Sequence, residues 1–285
     1  MAFLTLGCFA WGTSFMWIKV AVEEIGPFML VALRLTFGTF ASWFLVILFR
    51  IPPPRSLRAI GSAVVLAFTN MAIPFTLISW GETHIASGLA GVLNATTPLF
   101  AIVIAHLFLG DDQVSLPKLA GLLMGFAGIV MLFSRDIGPD GLEGTTWAKL
   151  AIIGASLGYA LSGVYHRLHL GDQHPIAITA VSLTAAMLLM WVLTIIVESP
   201  LIWPRRPITW TAAAWLGLVG TALAYPLLYF LIHAWGPTRT ALVTYVIPIV
   251  AVTLGVILLG EMLDSKLVFG GLLVVGGIII VNWRQ

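Results

Sequence analysis

Charge is what this chain lacks. Of its 285 residues only 9% are charged, 14 basic and 12 acidic, where a soluble domain carries about 25%. So few charges cannot cover the surface of a water-soluble protein of this size. With 60% hydrophobic residues, the chain reads as integral to a membrane. A formal net charge of +2 offers no basic surface for a nucleic acid. Cys8 is the single cysteine, which excludes an intrachain disulfide and a thiolate metal cluster. The chain carries no H-E-x-x-H, G-x-S-x-G or P-loop pattern, so no enzyme, no metal and no cofactor are expected. A channel would show a selectivity-filter segment or charged rings, and neither is present. No basic segment precedes the first apolar stretch, so that stretch reads as a retained helix rather than a cleaved leader.

Long apolar runs are what the chain has instead. They do not alternate as barrel strands do, and each reaches the roughly 20 residues a membrane helix needs. Charges, Pro and Gly divide them into ten spans near 2–22, 28–49, 58–80, 86–109, 116–134, 147–168, 175–197, 209–233, 238–259 and 266–283. The longest connection, "RDIGPDGLEGTT", has no room for a soluble domain. With the N-terminus inside, inner loops carry seven Lys and Arg and outer loops five. That bias, led by "RIPPPRSLR", places both termini in the cytoplasm.

The chain also repeats itself. Pro98 precedes Gly110-Asp111 by the same 12 residues that separate Pro248 from Gly260-Glu261. Trp11 aligns with Tyr159, Lys19 with Arg167 and Pro27 with Pro175, all at an offset of 148. "MAIP" (71–74) matches "LAYP" (223–226) at 152, and "GLLMGFAGIV" from Gly121 matches "GLLVVGGIII" from Gly271 at 150. An ordered series at a nearly constant offset implies duplication. Five spans per copy is an odd number, so the second copy enters the membrane from the other side. The expected fold is therefore all-α integral membrane: ten transmembrane helices as two inverted five-helix repeats around a central cavity. Residues 1–134 form the first repeat, 135–146 a connecting loop and 147–285 the second repeat. Inverted repeats supply alternating access to a site near the midplane.

These marks resemble the drug/metabolite transporter superfamily in its EamA-type branch: Ala10-Trp11-Gly12, Arg34, Pro98 with Gly110-Asp111, Pro248 with Gly260-Glu261, and Gly270-Gly271. Gly110-Asp111 stands where that family usually has Gly-Glu. Within the superfamily the chain looks most like bacterial exporters of aromatic and other neutral amino acids, a group also linked to efflux of an aromatic cation. The resemblance implies export across the bacterial inner membrane without ATP, with a small solute and membrane lipid as the partners and the monomer as the working unit.

Pro74, Pro98, Pro226 and Pro248 lie mid-span. Each removes a backbone hydrogen bond, and their paired occurrence favours hinges over static kinks. Polar side chains at depth face the bundle interior. Asn70, Thr76, Ser79 and Asn94 qualify, with helix–helix bonding as the competing role. Asn70 and Ser79, nine residues apart, fall on opposite helix faces, while Thr76 and Ser79 share one. Trp11, Tyr159, Tyr225 and Tyr245 lie deeper than the aromatics at span ends, and form an apolar wall with polar tips suited to an amphipathic solute or an aromatic cation.

Arg34 lies about six residues into span 2 and is an intramembrane charge. It can hold a solute carboxylate or pin span 2 to a neighbouring carbonyl. Snorkelling to the headgroups favours the structural role. Lys19 and Arg167 are expected to snorkel as well. Every Asp and Glu falls in a loop or at a span end. Without a mid-bilayer carboxylate, facilitated transport is expected rather than obligate proton antiport. "GLLMG" (121–125) suits close helix packing within the fold rather than a dimer.

Overall fold

The computed structural model describes residues 2–109, 116–134, 137–138, 141–142, 144–227 and 242–282. Among these the fold is helical apart from a two-residue ladder, Ile137–Gly138 against Gly141–Leu142. The helices are α1 Ala2–Val22, α2 Pro27–Leu48, α3 Leu57–Leu66, α4 Ile73–Glu82, α5 Ser87–Asn94, α6 Thr97–Leu109, α7 Leu116–Phe133, α8 Gly144–His169, α9 Pro175–Val197, α10 Pro207–Gly217, α11 Leu242–Leu259 and α12 Ser265–Asn282. Two π-helical turns, Ala67–Ala72 and Leu218–Leu223, join α3 to α4 and extend α10. Among the described residues, seven helical segments are long and apolar enough to cross a membrane, among them Leu57–Glu82 and Ser87–Phe108. Val246–Leu259 and Ser265–Val281 are shorter apolar helices. The expected end of span 8, the start of span 9, Gly110-Asp111 and the Tyr245 side chain lie outside the described residues.

Local chemistry sets the ends. Pro27, Pro175 and Pro207 open α2, α9 and α10, where the missing N–H is no loss. Gly260, with φ +67°, closes α11. Its left-handed backbone turns the chain so that the Glu261 N–H donates back to the Gly255 carbonyl at 3.0 Å.

Helix α2 packs on α9, α7 on α12, and α11 on α5. Helix α1 packs on α11 and α10, while α8 packs on α6, α5 and α4. Across α2 and α9 the bonds are reciprocal. Trp43 Nε1 donates to Thr184 Oγ1 and Trp191 Nε1 donates to Thr36 Oγ1, both at 2.9 Å. Both pairs of equivalents, Thr36 with Thr184 and Trp43 with Trp191, differ by 148. Along α7 and α12 the glycines touch. A Cβ on Gly121 would stand 2.5 Å from the Gly277 carbonyl, and one on Gly128 would stand 2.7 Å from that of Gly270. The "GLLMG" segment is thus spent on packing within the fold.

The loops at 23–26, 83–86, 198–206 and 260–264 share one face, called here the first-loop face, because hydrogen bonds tie them together. Glu198 accepts from the Phe28 and Met29 N–H groups, each at 2.9 Å. Glu261 accepts from Ser87 N–H at 2.6 Å and Gly88 N–H at 2.9 Å. Glu24 accepts from the Arg205 and Arg206 N–H groups and from the Thr209 hydroxyl. The N-cap residues of α2, α5 and α10 are Gly26, Ala86 and Arg206, none with a side-chain cap of its own. In each case a glutamate from the other half of the chain satisfies the orphan donors and meets the positive end of the helix dipole.

Candidate functional site

A cavity of about 250 Å³ lies between α1, α2, α4, α5, α8, α11 and the two π turns, lined by Trp11, Phe15, Arg34, Asn70, Tyr159 and Tyr225 among others. A second cavity of about 320 Å³ adjoins it, lined by Leu66, Ser162, His166, Ile178, Thr179 and Ser182. The two share Asn70, Tyr159 and Tyr225. Asn70 Nδ2 donates to the Tyr225 hydroxyl at 3.0 Å, so this bond, between the two halves of the chain, forms the partition. The second cavity runs along α3, the C-terminal part of α8 and the start of α9, toward the face opposite the first loops.

Irregular backbone builds the central cavity. The π turns supply Asn70, Gly220 and Thr221. Trp11 Nε1 donates to the Gly220 carbonyl at 3.2 Å, and Arg34 Nε to Thr221 Oγ1 at 3.1 Å. Pro74 and Pro226 follow these turns. Neither can donate to the carbonyl four residues back, and the wider π register takes up the mismatch. At Asn94 the fourth span breaks into α5 and α6. The carbonyls freed there are met by hydroxyls. Thr96 Oγ1 donates to Leu93 O at 2.6 Å and Thr97 Oγ1 to Asn94 O at 2.8 Å, with Ser156 Oγ reaching both from α8. A broken helix at membrane depth is tolerated where protein or a cavity satisfies it. Its repeat mate differs, since Pro248 sits inside an unbroken α11.

Arg34 does not snorkel. It is 5% exposed, its guanidinium stacks on Phe75 at 3.6 Å from the ring centroid, and it faces the central cavity. Among the described residues no carboxylate lies within 4 Å of it, and none lines the cavity. Lys19 is not a snorkelling residue either. Its ammonium is turned onto the Glu82 and Ile85 carbonyls at 2.7 and 2.9 Å, at the C-terminal end of α4. Arg167 is exposed.

Of the residues singled out from sequence, Trp11, Asn70, Asn94, Tyr159 and Tyr225 meet around one cavity. Trp11 and Tyr225 pack edge-to-face at 6.4 Å. Thr76 and Ser79 do not line it. Thr76 Oγ1 bonds Met190 Sδ at 3.7 Å, and Ser79 is buried elsewhere. The reason is register. From Asn70 the π turn carries the inward face five residues on to Phe75, then to Ile78, one residue out of phase with regular α geometry. Phe15, Ser14, Phe75 and Ile78 join the wall unanticipated. Ser14 and Phe15 follow Trp11 by three and four residues, a spacing that could have found them.

This bundle, with its broken helices and a polar-tipped aromatic cavity at its centre, has the build of a solute carrier. The EamA-like transporter family matches residues 1–134 and 146–283, and the chain belongs to that family. It is a membrane transporter within the drug/metabolite transporter superfamily. The uncharacterised inner-membrane transporter YedA of Escherichia coli K12 is 29% identical over 262 residues, covering 90% of this chain and 81% of YedA. A probable terminal-alkyne amino-acid exporter of Streptantibioticus cattleyicolor is 25% identical over 288 residues, covering 99% and 92%. A solved crystal structure of a protein superposes with a TM-score of 0.73 at 18% identity, covering 100% of this chain and 98% of the other. That likeness extends to the fold alone.

Proposed function

We propose that the chain exports aromatic and other neutral amino acids across the bacterial inner membrane by alternating access, with both termini in the cytoplasm. In this reading residues 1–134 and 147–285 are inverted five-helix repeats that together make ten spans. The reciprocal Trp43–Thr184 and Trp191–Thr36 bonds support that symmetry. So does the match of one family to both halves. A C2-like interface requires such exchange of equivalent contacts.

One observation carries the solute class: a buried guanidinium with no carboxylate within 4 Å among the described residues, opposite an aromatic wall. Arg34 presents its free N–H groups to a solute carboxylate in a bidentate geometry. Trp11, Tyr159 and Tyr225 receive an aromatic or apolar side chain. Asn70 and Asn94 offer amides to the solute's ammonium. The positive charge of Arg34 disfavours aromatic cations. A volume of about 250 Å³ is below the roughly 300–1,000 Å³ of drug-sized sites, which favours a single amino acid. Pro74, Pro98 and Pro226 serve as hinges where their helices are already irregular. With no nucleotide-binding loop in the sequence, movement draws on the solute gradient, in facilitated fashion, or on an ion.

Proteoliposome counterflow across a panel of amino acids and dyes tests this. Aromatic amino acids should exchange, and Trp11→Ala or Tyr159→Ala should slow them several-fold, since each ring pair contributes about 0.5–1.5 kcal/mol beyond buried area. Wild-type rates in both variants would reject the aromatic wall.

A further inference from the structure

One buried carboxyl group is used by nothing described so far. Glu82 ends α4 and is 0% exposed. Neither of its side-chain oxygens accepts a hydrogen bond among the described residues. Counting charges places it at a span end; the structure places it inside the bundle. It stands one helical turn beyond Ile78 on the same face. Lys19 stands one turn beyond Phe15, and both Ile78 and Phe15 line the central cavity. Glu82 therefore belongs to the plug that closes the cavity toward the first-loop face.

The charged groups around it are few. Lys19 comes from α1, Arg34 from α2, and Glu261 from the turn after α11. Lys19 spends its ammonium on the Glu82 and Ile85 carbonyls. Arg34 is engaged by Thr221 and Phe75. On α8, Lys149 donates to the Leu132 carbonyl. In the turn after α4, the His84 ring packs at a tilt against Trp80. The contrast with Glu261 is direct. Its carboxylate accepts two backbone N–H groups at the start of α5, while Glu82 accepts none. A bare carboxylate charge in an enclosed site is costly, and a second carboxylate nearby adds to the cost.

We propose that Glu82 is a proton-binding site in the gate of the first-loop face. It holds a proton while that face is shut and gives it to water on that side when the face opens. The transfer is a simple acid dissociation, carboxyl to carboxylate with the proton passing to water. Opening then exposes a charge that water can solvate, and closing requires the proton's return. The proposal rests on the cavity being the transport path. It replaces the expectation of pH-indifferent facilitated transport with a gate sensitive to pH on one side.

The test has two arms on the full chain in liposomes. In the first, a hydrophobic carbodiimide, which adds to protonated buried carboxyl groups, is applied at a series of pH values without any solute. Peptide mass spectrometry should find the adduct on Glu82, falling by up to about tenfold per pH unit once dissociation sets in. No adduct on Glu82 at any pH overturns the proposal. This arm needs no variant and no solute, so it stands or falls apart from the amino-acid reading. In the second, counterflow is measured while the medium on the first-loop side is acidified. Wild-type exchange should slow several-fold, and Glu82→Gln should stay at the acidic rate at every pH. A flat wild-type profile, or an unchanged slope in the variant, overturns the proposal.

Discussion

The two loop faces of the bundle are joined by different bonds. On the first-loop face Glu24, Glu198 and Glu261 each cross between halves to cap a helix. On the opposite side the halves meet at the Asn70–Tyr225 bond, with a Tyr165–Ser62 hydroxyl pair at 3.3 Å and Ser182 Oγ donating to the Ala63 carbonyl at 2.8 Å further out. Hydrogen bonds to charged groups contribute about 1.5–3 kcal/mol each, and neutral ones about 0.5–1.5. Among the described residues the first-loop face is the stronger closure. The second cavity, beyond Asn70 and Tyr225, shows the other side already partly parted. In the proposed reading the two faces act as gates, and the difference teaches that they need not cost the same to open.

Removing a crossing glutamate should have the largest effect on that contrast. Glu261→Ala strips two charge-assisted acceptors from the start of α5 and should cost about 3 kcal/mol or more. In a Cys8→Ala background, a Ser87→Cys reporter should become reactive to an impermeant thiol reagent only when Glu261 is also replaced. Gly277→Leu should cost about 1–3 kcal/mol by overpacking, because its side chain would enter the Gly121 and Gly125 backbone. That variant acts on the α7–α12 seam away from both gates. Its melting temperature should fall while Ser87→Cys stays protected.

Tyr225→Phe removes one neutral bond from the partition, at about 1 kcal/mol. Solute exchange should quicken or slow by only a few-fold, with little change in melting temperature. The smallest effect is expected from acid at Glu24. The Thr209 hydroxyl first, then the Arg205 and Arg206 amides, hold its carboxyl below the usual range. A carboxyl depressed in the folded state stabilises above its unfolded value and loses that contribution as pH falls through the folded value. Melting temperature should therefore sag slightly at pH below the usual carboxylate range, and Glu24→Gln should flatten that part of the profile.

Much of the architecture was legible in the hydrophobic runs. Spans expected at 2–22 and 175–197 coincide with α1 and α9, since apolar length is a direct physical requirement of the bilayer. The aromatic wall was legible too, because depth separates Trp11, Tyr159 and Tyr225 from interfacial rings. What escaped depends on register and tertiary cover. No residue type announces a π turn, and the turn at Ala67–Ala72 sets Phe75 and Ile78 inward, with Thr76 and Ser79 each one residue beyond them and off the cavity. Arg34 sits close enough to a span end to snorkel, yet Phe75 and Thr221 hold it inward. Glu82 ends a helix, and only tertiary packing makes it a buried group. The shared Pro98 and Pro248 spacing hid a difference as well. One span breaks where Thr96, Thr97 and Ser156 supply hydroxyls to its carbonyls, and the other stays helical from Leu242 to Leu259.

The pocket's reading of its solute is tested most directly by counterflow with a matched pair, phenylalanine and its decarboxylated amine. Wild-type protein should exchange the amino acid and not the amine, and Arg34→Gln should abolish that discrimination while the protein elutes and melts as a folded membrane protein. Equal exchange of both compounds by the wild type would contradict the account, and so would an Arg34→Gln variant that still prefers the carboxylate.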